Sequence, residues 1–139
     1  MERVYTAPLL DKLGIRPGMR VAIVGDLDDD ETARSFRAEL ADRTSDITDG
    51  PPKSDSEIVL LAADSTAELA AALPGLRARI RPNGVIWVIS RKGKSATLRD
   101  VDVIAAATEH GLVDNKVVSF SPTRTALRLV IPVALRPRA

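Results

Sequence analysis

Residues 57–90 decide the fold: the segment begins with the apolar run EIVLLA at 57–62 and ends with the apolar run GVIWVIS at 84–90. Between the two runs, the apolar side chains of Leu69, Leu73, Leu76 and Ile80 recur at helical spacing. Ser65 and Glu68 have the spacing of a capping box at the start of this helix, and Pro74 predicts a kink or a split within it. Two strands joined by a helix are typical of a parallel sheet.

The half of the chain that precedes this unit predicts a shortened version of the same architecture. We expect a short helix at residues 6–13, a turn at 15–18, a strand at 19–25 and a helix from Asp29 or Asp30 to about Asp42, with Ala33, Phe36 and Leu40 on one face. The strand is apolar on both faces, which indicates a central strand covered by helices on either side. Residues 46–48 predict a brief edge strand and residues 50–54 a loop.

The last third predicts a helix and a hairpin. Thr97 and Asp100 indicate an N-terminal cap, followed by a helix that buries Val101, Ile104, Ala105 and Thr108 and ends at residues 110–111. The link between strands at 116–121 and 125–133 is so short that the two must be antiparallel. The sequence therefore predicts a single α/β domain over residues 1–139. Its Rossmann-like, mostly parallel sheet has about six strands, with helices on both faces and a C-terminal antiparallel hairpin.

Composition limits the class of protein. Of the 139 residues, 45% are apolar and 28% are charged, as in soluble globular proteins. No apolar run approaches the roughly 20 residues that cross a bilayer, and the N-terminus lacks a basic-then-apolar leader. We therefore expect a cytoplasmic protein that does not engage a membrane. The absence of cysteine excludes disulfides, thiol nucleophiles and thiolate metal sites.

The net charge of +1 conceals an asymmetry along the chain. Residues 1–70 contain 15 acidic and 8 basic side chains, whereas the remainder contains 4 acidic and 12 basic ones. Such polarity can steer charged partners or favour a head-to-tail homodimer. The simpler interpretation, which we prefer, is that the two halves meet in one domain and their charges interleave.

Three passages of the sequence carry a resemblance to a known fold. They are LGIRPGMRVAIVG at 13–25, LPGLRARIRPNGVIWVIS at 73–90 and HGLVDNKVVSFSPTRTALRLVIP at 110–132. They resemble the first strand, the fifth strand and the final hairpin of class I S-adenosylmethionine-dependent methyltransferases. The resemblance implies a sheet whose last strand inserts beside the fifth. The chain has room for one helix and one short strand before Glu57, where that fold needs three helices and two strands.

The opening LGIRPGMRV and the later passage GLVDNKV at 111–117 resemble a second group more closely. This is a family of short bacterial proteins, the domain of unknown function numbered three thousand and fifty-two. The resemblance implies a compact, shortened methyltransferase-like domain and brings no reaction with it.

Open α/β sheets bind ligands beyond the carboxyl ends of their strands, which here means the loops after Gly25, Ala62 and Ser90. An adenosylmethionine site needs G-x-G-x-G in the first loop, but the sequence reads GDLDDD at 25–30 and keeps only Gly25. Acidic side chains there compete for the amide groups that would hold the ligand. We therefore expect no cofactor. If S-adenosylmethionine is bound in another pose, Asp26 or Asp46 would hold the nucleoside and Asp64 would face the substrate.

Two further patterns of charged residues are candidate binding sites. Asp26, Asp28 and Asp30 have the alternating spacing of calcium or magnesium ligands, but the glycine and glutamate of a calcium loop are replaced by Glu31 and Arg37. We expect no metal site, only an acidic helical turn. Arg91, Lys92 and Lys94 form a basic loop around Gly93 that could hold a phosphate, a carboxylate or a nucleic-acid backbone, although such charge runs are often only solvated.

The remaining residues give little support for catalysis. We expect His110 to cap a helix and Trp87 to lie in the core, and no nucleophile–base pair can be assembled. Three aromatic residues besides Trp87 and a charge near zero do not indicate nucleic-acid binding.

The leading hypothesis is a non-catalytic module that binds a partner protein or a small anionic ligand at the edge of the sheet where the parallel strands have their carboxyl ends. The alternatives are a methyltransferase with an unusual cofactor loop and a nucleotide-binding regulator that uses Arg91, Lys92 and Lys94.

Overall fold

The computed structural model describes residues 8–137. The strands are β1 (Val21–Val24), β2 (Ile47–Asp49), β3 (Ser56–Ala62), β4 (Ile80–Arg91), β5 (Val113–Ser119) and β6 (Arg124–Val130). The helices are α1 (Leu9–Lys12), α2 (Glu31–Arg43), α3 (Thr66–Arg79) and α4 (Asp100–Glu109). The first two residues of the helix predicted at 6–13 lie outside the described range.

The six strands form one sheet in the order β2–β1–β3–β4–β6–β5. The first four strands are parallel, and β6 runs antiparallel between β4 and β5. This confirms the predicted Rossmann-like sheet and its C-terminal hairpin. Strand β5 begins three residues before the predicted position, because Val113 pairs with Val130 at the start of the hairpin.

Helices cover both faces of the sheet, as the apolar central strands require. On one face, Leu13 at the end of α1 and Phe36 of α2 pack in a cluster that includes Trp87. The ring of Phe36 lies edge-on to the ring of Phe120, with centroids 5.0 Å apart. On the other face, Leu73 of α3 and the buried side of α4 pack against the same strands. Trp87 is 1% exposed, which confirms its predicted core position.

The connection between β2 and β3 is where the fold is shortened. These parallel strands lie on either side of β1 and are joined only by residues 50–55, with no helix. Crossovers between parallel strands usually take a dozen residues or more. Here Pro52 is buried, and its carbonyl accepts a hydrogen bond of 3.2 Å from Nη1 of Arg79 on α3. A proline-containing loop thus takes the place of a helical crossover.

Helix α2 follows the predicted pattern. The Oδ1 atom of Asp30 accepts a hydrogen bond of 2.8 Å from the Ala33 amide and caps the helix. Ala33, Phe36 and Leu40 are each buried on the face that contacts the sheet. Their spacing of three and four residues was therefore sufficient to predict which face is buried.

Helix α3 departs from the prediction at Pro74. The Oγ atom of Ser65 caps the helix by accepting a hydrogen bond of 3.1 Å from the Glu68 amide. Of the two predicted effects of Pro74, the split is wrong, because one continuous helix spans Thr66–Arg79 with Pro74 inside it. The kink stays a prediction. Ile80, which was predicted to lie on this helix, is instead the first residue of β4. Both Pro74 and Ala70, whose carbonyl loses its usual partner to the proline, are exposed. Water can hydrate that carbonyl, so the helix continues.

Helix α4 corrects two predictions. The helix is capped at Arg99, whose amide donates a hydrogen bond of 3.0 Å to Asp102, and not at Thr97 with Asp100. Its buried residues are Val103 and Ala107, and the predicted Val101 is 67% exposed. The other residues predicted to be buried, Ile104, Ala105 and Thr108, are also exposed.

The sequence predicted the wrong buried face of α4 because residues 103–107 are apolar without a break. A continuous apolar run does not indicate which side of a helix is buried. Contact with α3 and the sheet selects it instead. His110 ends the helix as predicted, and Gly111 follows it with a φ of 74°. Among the helices of residues 8–137, none has the length and hydropathy to cross a membrane.

Candidate functional site

The carboxyl ends of β1, β3 and β4 meet the first residue of β6 at one edge of the sheet, which we call the carboxyl edge. The predicted site residues Gly25, Asp26, Asp64, Arg91 and Lys92 all lie along this edge, and Lys94 lies in the 3-10 turn that follows β4. The structure places Gly25 against β3 and Asp64 against Arg91.

Gly25 serves the packing of the sheet. Its φ is 89°, and a Cβ at this position would lie 2.5 Å from the carbonyl oxygen of Ala62. That distance is a clash with backbone, so no other residue fits without moving β3. The one glycine that survives from the methyltransferase pattern is therefore explained by a strand–strand contact.

Asp29 closes the carboxyl edge with an ion pair. Its Oδ2 atom lies 2.5 Å from Nη2 of Arg124 and 3.6 Å from Nη2 of Arg91. The side chain of Arg124 is only 4% exposed. Because β3 and β4 lie between β1 and β6 in the sheet, this pair crosses the ends of both central strands. A ligand placed over those ends would have to displace it.

Asp64 joins the loops that follow β3 and β4. Its Oδ1 atom accepts a hydrogen bond of 2.9 Å from the Arg91 amide, and its Oδ2 atom lies 3.9 Å from Nε of the same residue. Its carbonyl accepts a hydrogen bond from the Thr97 hydroxyl. The carboxylate thus has protein partners at this edge.

The exposed carboxyl groups of Asp26 and Asp28 interact with each other. A hydrogen bond from the Asp28 side chain lowers the pKa of Asp26, and the same hydrogen bond together with the charge of Asp26 raises the pKa of Asp28. Nearby, Nε of Arg37 donates a hydrogen bond of 2.9 Å to the Leu27 carbonyl, and its Nη1 lies 2.8 Å from Asp49. The loop is therefore held by contacts among its own residues and by Arg37 of α2.

Asp46 lies at the wrong end of the sheet for the role that the methyltransferase alternative gave it. It precedes β2, and its Oδ2 atom is 3.0 Å from Nε of Arg20, which precedes β1. Because β1 and β2 are parallel, Asp46 and Asp26 lie at opposite edges. The acidic residue that follows along β2 to the carboxyl edge is Asp49.

The acidic loop does not assemble metal ligands. Within residues 8–137, no three histidine, aspartate or glutamate side chains are grouped to hold a metal ion. Asp30 accepts a hydrogen bond from the Ala33 amide and Asp29 pairs with Arg124, so two neighbouring carboxylates point to different protein partners.

The basic loop borders a shallow depression of about 380 Å³. Arg91, Lys92 and Arg99 line it together with Gly93 and Val101. The Nζ atom of Lys92 donates a hydrogen bond of 2.8 Å to the Ser119 hydroxyl, whereas Lys94 and Arg99 are exposed to solvent. Lys94 has no ion-pair partner among the described residues.

Sequence reasoning missed the roles of Asp29, Arg124 and Arg99 at this edge. Asp29 and Arg124 are separated by 95 positions, and the sequence pattern predicted that Arg124 lies in the short link between the last two strands. Only the insertion of β6 beside β4 brings Arg124 to the carboxyl edge. Arg99 belongs to a helix cap that was predicted two residues too early.

Comparison with protein families matches the model described as "Protein of unknown function (DUF3052)" to residues 10–133. The chain belongs to this family. No protein in the curated comparison matches the chain.

Solved structures with a similar fold include SAM-dependent methyltransferases and LepI. LepI in complex with SAM aligns with a TM-score of 0.61 and 11% identity over 95% of this chain and 50% of LepI. A SAM-dependent methyltransferase from Aquifex aeolicus aligns with a TM-score of 0.60 and 13% identity, covering 89% of this chain and 88% of that chain. Magnesium protoporphyrin IX methyltransferase from Synechocystis with bound SAM gives a TM-score of 0.58 and 13% identity, covering 89% and 74% of the two chains.

This DUF3052 chain spans about half the length of LepI. At these identities the likeness concerns the fold, and it supports the description of the chain as a shortened methyltransferase-like domain.

Proposed function

We propose that this DUF3052 domain is a non-catalytic binding module that recognises an anionic group, on a partner protein or a small ligand, at the basic part of its carboxyl edge. The observation that carries the proposal is the ion pair of Asp29 with Arg124, which crosses the ends of β3 and β4. It occupies the place where open α/β sheets bind ligands.

The charges around the closed edge support the anionic specificity. Arg91, Lys92 and Arg99 line the depression beside this pair, and the carboxylate that lines it with them is Asp100. Arg91 is shared with Asp29 and Asp64, so its charge is partly neutralised. Lys94 and Arg99 remain exposed, and two exposed cations beside a glycine turn suit a phosphate or a carboxylate.

The competing function is a methyltransferase. Its motivation is that LepI and the Synechocystis enzyme have SAM in their structures. In this chain the same fold has Gly25 in contact with Ala62 and Asp64 bonded to Arg91, which disfavours a nucleoside in the usual position.

Calorimetric titration of the full chain with S-adenosylhomocysteine separates the two functions. We expect no binding heat up to millimolar ligand with a protein shown to be folded by circular dichroism. Micromolar binding that is weakened by Asp64→Asn would overturn the proposal and favour the enzyme.

A second titration tests the basic site itself. Inorganic pyrophosphate is added to isotopically labelled protein, and we expect the amide resonances of Gly93 and Lys94 to shift in a saturable manner. The double variant Lys94→Glu with Arg99→Glu should abolish these shifts, whereas Lys53→Glu, an exposed cation in the β2–β3 loop, should not. Unchanged shifts in the double variant would refute an anion site in this loop.

A further inference from the structure

A second cleft lies toward the opposite end of the sheet from the carboxyl edge. Residues 8–137 leave a space of about 390 Å³ between the end of α1 and the amino-terminal parts of β3 and β4. Its size falls within the range of small-molecule sites. The nearly buried apolar residues Leu13, Ile58 and Trp87 lie at its floor, and most of its lining is polar or charged. The basic side chains that line it are Lys12, Arg16, Arg81, Lys116 and Arg128.

An irregularity in β4 builds one wall of the cleft. Ser56 pairs with Ile80 and Ile58 pairs with Val85, so two steps along β3 correspond to five along β4. The extra residues bring Arg81 and Asn83 to the cleft. A Cβ on Gly84 would lie 3.0 Å from the Arg81 carbonyl oxygen, which is a tight contact with the backbone of the bulge. Bulges often re-aim side chains beside binding sites.

A row of cross-strand neighbours places two cations side by side. Lys116 pairs with Arg128 across β5 and β6, and Arg128 pairs with Trp87 across β6 and β4. Like charges directly opposite each other in a sheet are destabilising. Within residues 8–137, Nη1 of Arg128 donates a hydrogen bond of 3.3 Å to the neutral amide oxygen of Asn115, and Nζ of Lys116 donates one of 3.4 Å to the Lys12 carbonyl. The chain therefore maintains an unfavourable charge arrangement at the edge of this cleft.

The acidic residues of the cleft do not neutralise this row. Asp11 is engaged by Nη1 of Arg43, and Glu57 lies 3.9 Å from Nη1 of Arg81 while it accepts a hydrogen bond of 3.3 Å from the Arg20 amide. Among the described residues, no carboxylate lies within ion-pair distance of Lys116 or Arg128.

We propose that this cleft is a second ligand site, distinct from the carboxyl edge, which binds a small phosphomonoester with a compact apolar or aromatic part. The phosphate would lie between Lys116 and Arg128, because a guanidinium offers paired donors to phosphate oxygens and an ammonium adds a point charge. The uncharged part would lie on the apolar floor. The proposal does not depend on the function assigned to the carboxyl edge, because the two sites share no lining residue.

The chain contains its own reporter for this site. Trp87 is the single tryptophan, it lines the cleft, and its Nε1 donates a hydrogen bond of 3.0 Å to the Leu13 carbonyl at the end of α1. A ligand bound between α1 and β4 would change the surroundings of this indole. Ligand binding at the carboxyl edge would leave them largely unaltered.

The test is fluorescence titration of the full-length protein with adenosine monophosphate at low salt. We expect a saturable change in Trp87 emission. Arg128→Gln and Lys116→Gln should each weaken binding about tenfold, because each removes a charge-assisted hydrogen bond to the phosphate. Lys53→Gln, which removes an exposed cation in the β2–β3 loop, should leave the affinity unchanged. Lys116 is itself exposed, so its variant folds even if substitution of Arg128 disturbs the sheet.

Three outcomes would overturn the proposal. One is an affinity for adenosine monophosphate that is the same in Lys116→Gln as in the natural chain. Another is a fluorescence change that Lys94→Gln abolishes and Lys116→Gln does not, which would place the ligand at the carboxyl edge. The third is no saturation with adenosine monophosphate but tight binding of a single-stranded oligonucleotide, which would indicate a polynucleotide surface.

Discussion

The carboxylate of Asp29 and the guanidinium of Arg124 form an ion pair above the carboxyl ends of the central strands, although 95 positions separate them in the sequence. The pair links the loop after β1 to the first residue of β6. It joins the two halves of the chain at the edge where open α/β sheets in general bind their ligands.

We expect Asp29→Asn to lower the free energy of unfolding by about 2 kcal/mol, because the nearly buried Arg124 would lose its charged partner. Urea denaturation at neutral pH measures the change. Glu39→Gln, which alters an exposed carboxylate on the helix α2 that follows Asp29, is the control and should change stability by less than about 0.5 kcal/mol. Equal effects of the two substitutions would show that the pair contributes nothing.

Gly25→Ala should destabilise the protein by more than about 2 kcal/mol, because it combines a positive φ with a contact of 2.5 Å to the Ala62 carbonyl. Gly93→Ala is a matched control, since Gly93 has a φ of 74° but nothing within 4 Å of its added Cβ. That control should cost only about 1 kcal/mol. Thermal and urea unfolding of both variants make the comparison, and a Gly25 variant as stable as the Gly93 variant would contradict the close approach of β1 and β3.

The orientation of α4 can be tested with a pair of valines on one helix. Val103 is 1% exposed and Val101 is 67% exposed. We expect Val103→Ala to cost about 2 kcal/mol through lost burial and the cavity that remains, and Val101→Ala to cost less than about 0.5 kcal/mol. The midpoints of urea denaturation give both stability changes, provided that the dependence of the unfolding free energy on urea concentration is the same in the variants. A larger loss of stability for Val101→Ala than for Val103→Ala would contradict this orientation of α4 and favour the face that the sequence predicted.

The pair of Asp26 and Asp28 should make stability depend on pH in two opposite ways. The pKa of Asp28 is raised by its hydrogen bond to Asp26, so its contribution is present at low pH and is lost as the pH rises through the raised value. The pKa of Asp26 is lowered by the same hydrogen bond, so its contribution is present above the ordinary value and is lost as the pH falls.

Asp28→Asn should keep a hydrogen-bond donor for Asp26 at every pH. It should therefore remove the loss of stability that deprotonation of Asp28 causes as the pH rises. Carbon-13 resonances of the two carboxyl groups, followed from about pH 1.5 to about pH 7 in a protein shown to stay folded, report both titrations. We expect Asp28 to titrate above Asp26 in the natural chain. Titration of both groups at the ordinary aspartate value would rule out the interaction.

Local patterns in the sequence were sufficient for the type and order of the elements. The apolar runs at 57–62 and 84–90 became β3 and β4, and the spacing of Ala33, Phe36 and Leu40 correctly predicted the buried face of α2. These predictions succeed because burial repeats with the period of a helix or a strand, which is written in neighbouring residues. The α4 prediction failed where the apolar run was continuous and gave no period.

What the sequence by itself determined is therefore a shortened methyltransferase-like sheet that has lost most of its glycine loop. Only the tertiary structure decided that Asp29 reaches Arg124, that Asp46 lies at the far edge from Asp26, and that Lys116 and Arg128 stand side by side in a cross-strand row with Trp87. The physical reason is that ion pairs and cross-strand neighbours depend on strand order and register. Those are set by packing of the whole sheet, and no local run of residues encodes them.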